Sequence, residues 1–380
     1  MKYFNYSKRD IRSLSVFYQI CNILAVIPPY NFEKSTVIRS IWKKIQGLLL
    51  ITAISTVTAY SMYLRHNFHA KVYTVTHVAL DYLGEFFVVM LALSAIFNSC
   101  FCNQESWLKL NNDFQFIDEI LENRDVKERN VLATTSVQLF LYLTLYFLGV
   151  VCLLYVWSQE LGIMILKAYT MHQYCSLYNV LLNFLIYSIA LGLKCRYEDL
   201  NKLLELKDND EKETTISLRK IGNISQRLTE IVDLLNKIFG TTLIFITGYS
   251  IVQILTSLNF LIYEFKSDSG SHQEKIFLSN SCVVIFTLIS ISMVMIACDS
   301  ATMASETTVG LCYKLQERFT TNSEIRTELF KLAQQVNNNV VKITAANFFQ
   351  INKATLFGTL GTTTTYFIII LQFNQSLTPK

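Results

Sequence analysis

Seven apolar runs, six of them with no Asp, Glu, Lys or Arg, limit what this chain can fold into more than any other feature. They cover residues 45–64, 72–100, 131–157, 168–193, 238–263, 276–298 and 354–373. A helix needs about 20 apolar residues to cross a hydrocarbon core about 30 Å thick, and every run meets that length. Lipid offers backbone groups no hydrogen-bond partner, so helix is the required state. The second run alone carries acids, Asp81 and Glu85. Only 16% of the 380 residues are charged, against about a quarter in soluble chains. The sequence therefore predicts an all-α membrane protein with seven transmembrane helices.

The positions of Lys and Arg orient it. The 44 residues before the first run hold eight, and the second, fourth and sixth connections hold four, nine and six. The first, third and fifth connections and the tail together hold six. The N-terminus is thus expected in the cytosol and the C-terminus outside. The apolar stretch 13–27 ends at Pro28-Pro29 and lacks a small-residue cleavage site. It is read as a short membrane-associated helix, with a signal peptide as the other reading. Trp42 and Trp157 fall at span ends, where indole rings sit at the interface.

The outer connections are short, whereas the inner ones are long and patterned as helix. Trp107, Leu110, Phe114, Ile117 and Leu121 form one stripe, and Ile221, Ile224, Leu228, Ile231 and Leu235 a second. Ile325, Leu329, Leu332, Val336, Val340 and Ile343 form a third. Such stripes bury against partner helices. The fourth, fifth and sixth spans are expected to continue inward and build a cytosolic anchor bundle. The organisation expected is a cytosolic segment 1–44 and a six-helix ligand-binding domain 45–298 with cytosolic loops 101–130 and 194–237. Anchor helices 299–353 follow, then a pore helix with a short extracellular tail, 354–380. The nine cysteines are scattered singly, and no metal-ligand or catalytic constellation stands out. No enzyme activity, cofactor or nucleic-acid partner is expected.

Three membrane classes compete: channel, G-protein-coupled receptor and transporter. The only prolines are Pro28, Pro29 and Pro379, so no span carries the proline kinks of the G-protein-coupled class. Arg196-Tyr197 follows the fourth span and lacks a preceding acid. No inverted repeat or pair of broken helices marks a transporter.

The last span separates the three. Residues 365–373 read Thr-Tyr, five apolar residues, then Gln372-Phe373. This resembles the signature that ends the last helix of insect gustatory receptors. Residues 344–352, Thr-Ala-Ala-Asn-Phe-Phe-Gln-Ile-Asn, resemble the stretch that opens that helix in the family. Sugar-sensing members commonly have Glu after the Thr-Tyr pair; Phe367 stands here, which favours the bitter-type or orphan group. The resemblance implies a tetrameric, ligand-gated, non-selective cation channel in the plasma membrane of sensory neurons. Its partners would be a small-molecule tastant, other gustatory receptor subunits in a homo- or hetero-tetramer, the lipid bilayer and permeating cations. It would place Thr365, Tyr366, Ile369, Gln372 and Phe373 at the pore and gate. On the residues alone, a buried helix whose Gln372 bonds a neighbour is the favoured reading.

Ligand-binding candidates come from polar groups in the spans. His77, Asp81 and Glu85 are four apart, hence on one face, and charged groups at membrane depth face a wet cavity or a partner. A vestibule open to the outside is one reading; a structural network with Tyr or Lys167 is the other. Tyr155, Tyr169, His172, Gln173, Tyr174, Asn259 and Tyr263 cluster in the outer halves of other spans. They read either as an aromatic pocket wall or as interface aromatics.

Overall fold

The computed structural model describes residues 17–376, apart from 32–35, 38–40, 73–74, 123–130, 163, 206–210, 266–269, 319–322 and 340. Its helices are α1 over residues 17–23, α2 Ile41–Val72, α3 Val75–Phe97, α4 Gln104–Glu122, α5 Val131–Leu161, α6 Met164–Glu205, α7 Glu211–Phe265, α8 Gly270–Arg318, α9 Ser323–Asn338 and α10 Lys353–Ser376. A π-helical turn, Asn98–Cys102, ends α3. Seven of the helices, α2, α3, α5, α6, α7, α8 and α10, are long and apolar enough to cross a membrane.

The central helices are far longer than a bilayer requires. With 42, 55 and 49 residues, α6, α7 and α8 extend roughly 63, 82 and 73 Å at 1.5 Å per residue. Their surplus projects from the lysine- and arginine-rich end of the bundle, where α4 and α9 pack against it. The stripes explain why. Trp107, Leu110, Phe114, Ile117 and Leu121 of α4 are all buried, as are Ile221, Ile224, Leu228, Ile231 and Leu235 of α7 and Ile325, Leu329, Leu332 and Val336 of α9. Val340 lies outside the described residues. Arg196 of α6 fixes α4 with a fork to Asp118, Nε–Oδ1 2.8 Å and Nη2–Oδ2 2.6 Å, under the Phe114 ring. Arg219 of α7 donates to Glu328 of α9 at 3.2 Å, as does Lys331. Burial pushes the Glu328 carboxyl up, but these hydrogen bonds and charges outweigh it and hold it below its ordinary value.

Helix α1 is inserted in the bundle. Phe17 and Cys21 are buried, and Phe17 sets its edge on Phe184 of α6. The carbonyls that end a helix need external donors; here Lys43, Gln46 and Tyr178 donate to Asn22, Ile23 and Leu24 at 3.2, 2.7 and 3.0 Å.

Residues 344–350 depart from the resemblance, which made this stretch the opening of the last helix. They form a hairpin, β1 Thr344–Ala345 against β2 Phe349–Gln350. Ala346 and Asn347 turn it with φ of 48° and 63°, a left-handed conformation that no right-handed helix tolerates. The helix begins only at Lys353, where Asn352 Oδ1 accepts from the backbone N–H of Thr355 at 2.9 Å, an N-cap. Asn236 of α7 holds the hairpin, accepting from the Thr344 N–H at 2.8 Å and donating to the Lys342 carbonyl at 2.8 Å.

Candidate functional site

Charge inside the spans concentrates around Arg65. In sequence it falls just beyond the first apolar run; in the structure α2 continues through it, and its side chain is 1% exposed. Its Nη1 reaches Asp81 Oδ2 at 3.2 Å, its Nη2 reaches Glu85 Oε2 at 3.0 Å, and its Nε donates to the Ala168 carbonyl at 2.8 Å. The guanidinium lies 4.1 Å from the centroid of the Tyr169 ring. Glu85 Oε2 also meets His172 Nδ1 at 2.8 Å. Spacing of four brings Asp81 and Glu85 to one side of α3, and that side faces α2 and α6. The structure thus joins Asp81, Glu85, Tyr169 and His172, and adds Arg65, whose part had no sequence signal beyond its closeness to the span.

A cavity opens beside this cluster, with an empty volume of about 760 Å³ that is partly open to solvent. Five helices wall it: α3 with Leu80, Asp81 and Gly84; α5 with Leu153, Leu154 and Trp157; α6 with Ile165, Tyr169, His172 and Gln173; α7 with Gln253, Thr256, Ser257 and Phe260; α8 with Asn280 and Val283. All lie at the end of the spans where the connections carry few Lys and Arg. An apolar and aromatic wall with a few convergent polar groups suits a small organic ligand.

Four of the ten binding candidates, Asp81, Tyr169, His172 and Gln173, line this cavity. His77 is buried behind it and packs on Phe260, ring centroids 4.8 Å apart. Glu85 is buried in the charge cluster, Asn259 is buried away from the wall, and Tyr174 packs on Tyr178. Tyr155 is exposed on the outer surface of α5. The side chain of Tyr263 lies outside the described residues. Trp157, read as an interface anchor, stands in the wall with its edge on Phe260, 5.2 Å between centroids. Among the described residues no group of three His, Cys, Asp or Glu is placed to hold a metal ion.

Helix α10 has two unlike faces. Leu356, Thr359 and Thr363 are buried, and Phe367 and Ile370 continue this face against Leu80 of α3 and Val252 and Leu255 of α7. On the opposite face Gly358, Gly361, Thr362, Thr365, Ile369 and Gln372 are exposed, and Tyr366 and Phe373 flank it, also exposed. All five pore candidates are therefore uncovered in the single chain. Thr365 returns its hydroxyl to the Gly361 carbonyl at 3.0 Å.

The family model described as 7tm Chemosensory receptor matches residues 14–377. The chain belongs to this chemosensory receptor family. Receptors of this family are not enzymes. The chain is similar to gustatory receptor 68a of Drosophila melanogaster, 26% identical over 207 residues, 52% of each chain. It spans about half the length, or less, of the curated relatives it matches. Its fold is that of the olfactory receptor OR5 from Machilis hrabei. A structure of that protein in complex with eugenol superimposes with a TM-score of 0.62 at 13% identity, covering 96% of this chain and 100% of the other. A second OR5 structure gives 0.62 at 12% identity over the same coverage. The receptor is accordingly a multi-pass membrane protein with a nearly all-helical, seven-span fold.

Proposed function

We propose that the receptor is a gustatory receptor working as a ligand-gated, non-selective cation channel. A small-molecule tastant enters the cavity between α3, α5, α6, α7 and α8. The channel opens along α10, four copies of which surround one axis, in a homo- or hetero-tetramer. In the plasma membrane of a sensory neuron the resulting current drives acceptance or avoidance. The N-terminus and the α4–α9 end are cytosolic, and the cavity opens outward.

One observation carries this reading. Leu80 lines the cavity and belongs, with Val252 and Leu255 of α7, to the apolar cluster against which Phe367 and Ile370 of α10 pack, so one small cluster links the cavity to the pore helix. The uncovered face of α10 supports the second half. Gly358 and Gly361 have open space where a Cβ would sit, and small residues let membrane helices approach closely. Gln372 and the threonines beside them are poorly suited to lipid but suit a wet axis. Apolar rings such as Ile369 can then gate by dewetting.

The test is electrical. Current evoked by an activating compound should persist in excised patches without GTP. Loss of that current, restored by GTP, would return the receptor to the G-protein-coupled class.

A further inference from the structure

The charge carried by the cavity wall selects the chemistry of its ligand. Two carboxylates, Asp81 and Glu85, share one guanidinium, Arg65. Among the described residues no Lys or Arg is in the cavity wall. Arg65 is 1% exposed and sits beneath the Tyr169 ring, so an anion in the cavity cannot reach it without displacing that ring. Asp81, by contrast, is in the wall and 13% exposed. It is the sole carboxylate among the described residues of the wall, and a cation in the cavity can pair with it. Trp157, Tyr169 and Phe260 supply aromatic faces, which attract cations and stack on rings.

We propose that the cavity binds small aromatic amines, the ammonium on Asp81 and the ring among Trp157, Tyr169 and Phe260. This rests on the cavity being the ligand site. Charge-assisted contact in a site shielded from water strengthens binding over a neutral isostere.

The probes are 2-phenylethylammonium, 2-phenylethanol and phenylacetate, which share a ring and chain length and differ in charge. This chain, placed in lipid nanodiscs, has three tryptophans, of which Trp157 is the one among the described wall residues, so quenching of its fluorescence reports occupancy. The amine should bind about tenfold or more tighter than the alcohol, and the acid weakest. D81N should remove that advantage and leave the alcohol nearly unchanged, while D81E, which keeps the charge, should retain it. Alcohol binding as tight as the amine, or an amine unaffected by D81N, overturns the inference. If D81N does not fold, loss of the amine preference in D81E overturns it. S257W fills the cavity and W157F removes the reporter. Saturable quenching that survives either change removes the cavity reading itself, whatever the charge order. No saturable quenching by any probe at millimolar concentration overturns both.

Discussion

Replacing Arg65 with Met keeps much of the aliphatic stem and removes the guanidinium. Asp81 loses its 3.2 Å partner and Glu85 its 3.0 Å partner. Among the described residues Glu85 retains only His172, and the Ala168 carbonyl loses the Nε donor. Taking one partner from a buried ion pair costs about 3–5 kcal/mol, because the remaining charge is stranded away from water. Asp81 is partly relieved by the cavity, since its side chain is 13% exposed; Glu85, at 1%, is not. The penalty should therefore fall mainly on Glu85. R65M should lower the melting midpoint and the yield of monodisperse receptor, read by fluorescence-detected size exclusion after a heating series. Neutralising the stranded acids should restore stability: R65M/E85Q should recover most of the loss and R65M/D81N less. The triple R65M/D81N/E85Q should melt near the parent, as buried ion clusters replaced whole often do. An R65M receptor as stable as the parent, or a triple variant no better than R65M, would refute the account of Arg65 as the balancing charge.

Other outcomes can be stated briefly. A tag at the C-terminus should be accessible on intact cells and one at the N-terminus only after permeabilisation; a surface-exposed N-terminus would reverse the orientation drawn from the Lys and Arg counts. Q372C should be blocked by a thiol reagent added from outside during ligand application, once the exposed Cys152 and Cys282 and the buried Cys175 are replaced. An unblocked, well-expressed mutant would turn the pore face elsewhere. D118A strands Arg196 and should cost about 3–5 kcal/mol of stability, recovered in part by D118A/R196M; equal melting of D118A and parent would show the fork contributes little. G240L should leave amine quenching of Trp157 unchanged and reduce current, because a Cβ at Gly240 would stand 2.8 Å from the Ala346 nitrogen and displace the hairpin.

What could be read from sequence follows from which forces are local. Span length and charge-free composition are properties of contiguous residues, so each of the seven runs falls on one of the seven helices, with α6, α7 and α8 continuing well beyond theirs. The stripes on α4, α7 and α9 were legible for the same reason, since a period of 3.6 fixes which side is buried. The cavity was legible only in part. Asp81, Tyr169, His172 and Gln173 announced themselves as polar or aromatic groups inside spans. Arg65 did not, because a run of hydropathy ends at the first charge while a helix does not. Gln253, Thr256 and Ser257 were hidden because hydroxyls and amides are common in membrane helices, where they bond their own backbone, as Thr256 does to the Val252 carbonyl at 2.8 Å. The hairpin at 344–350 was missed because its turn uses Ala346 and Asn347 with no glycine, and the left-handed backbone there is held by tertiary contacts.

Those contacts give α7 a particular place in the mechanism. One stretch of it, Gln253, Thr256, Ser257 and Phe260, walls the cavity. Two residues interleaved with these, Val252 and Leu255, pack with Leu80 against Phe367 and Ile370 of α10. Three turns or more toward the basic end, Asn236 and Gly240 grip the hairpin that leads into α10. The same helix therefore touches the cavity, the flank of α10 and the segment from which α10 starts. A ligand can shift a channel only through a difference in its contacts between closed and open states. In the proposed gating, a movement of α7 against α3 on cavity filling would alter both contacts with α10 together. The close approach at Gly248, where any side chain would collide with the Phe87 ring of α3, leaves these two helices no room to come nearer, so their relative movement must be sliding, tilting or separation.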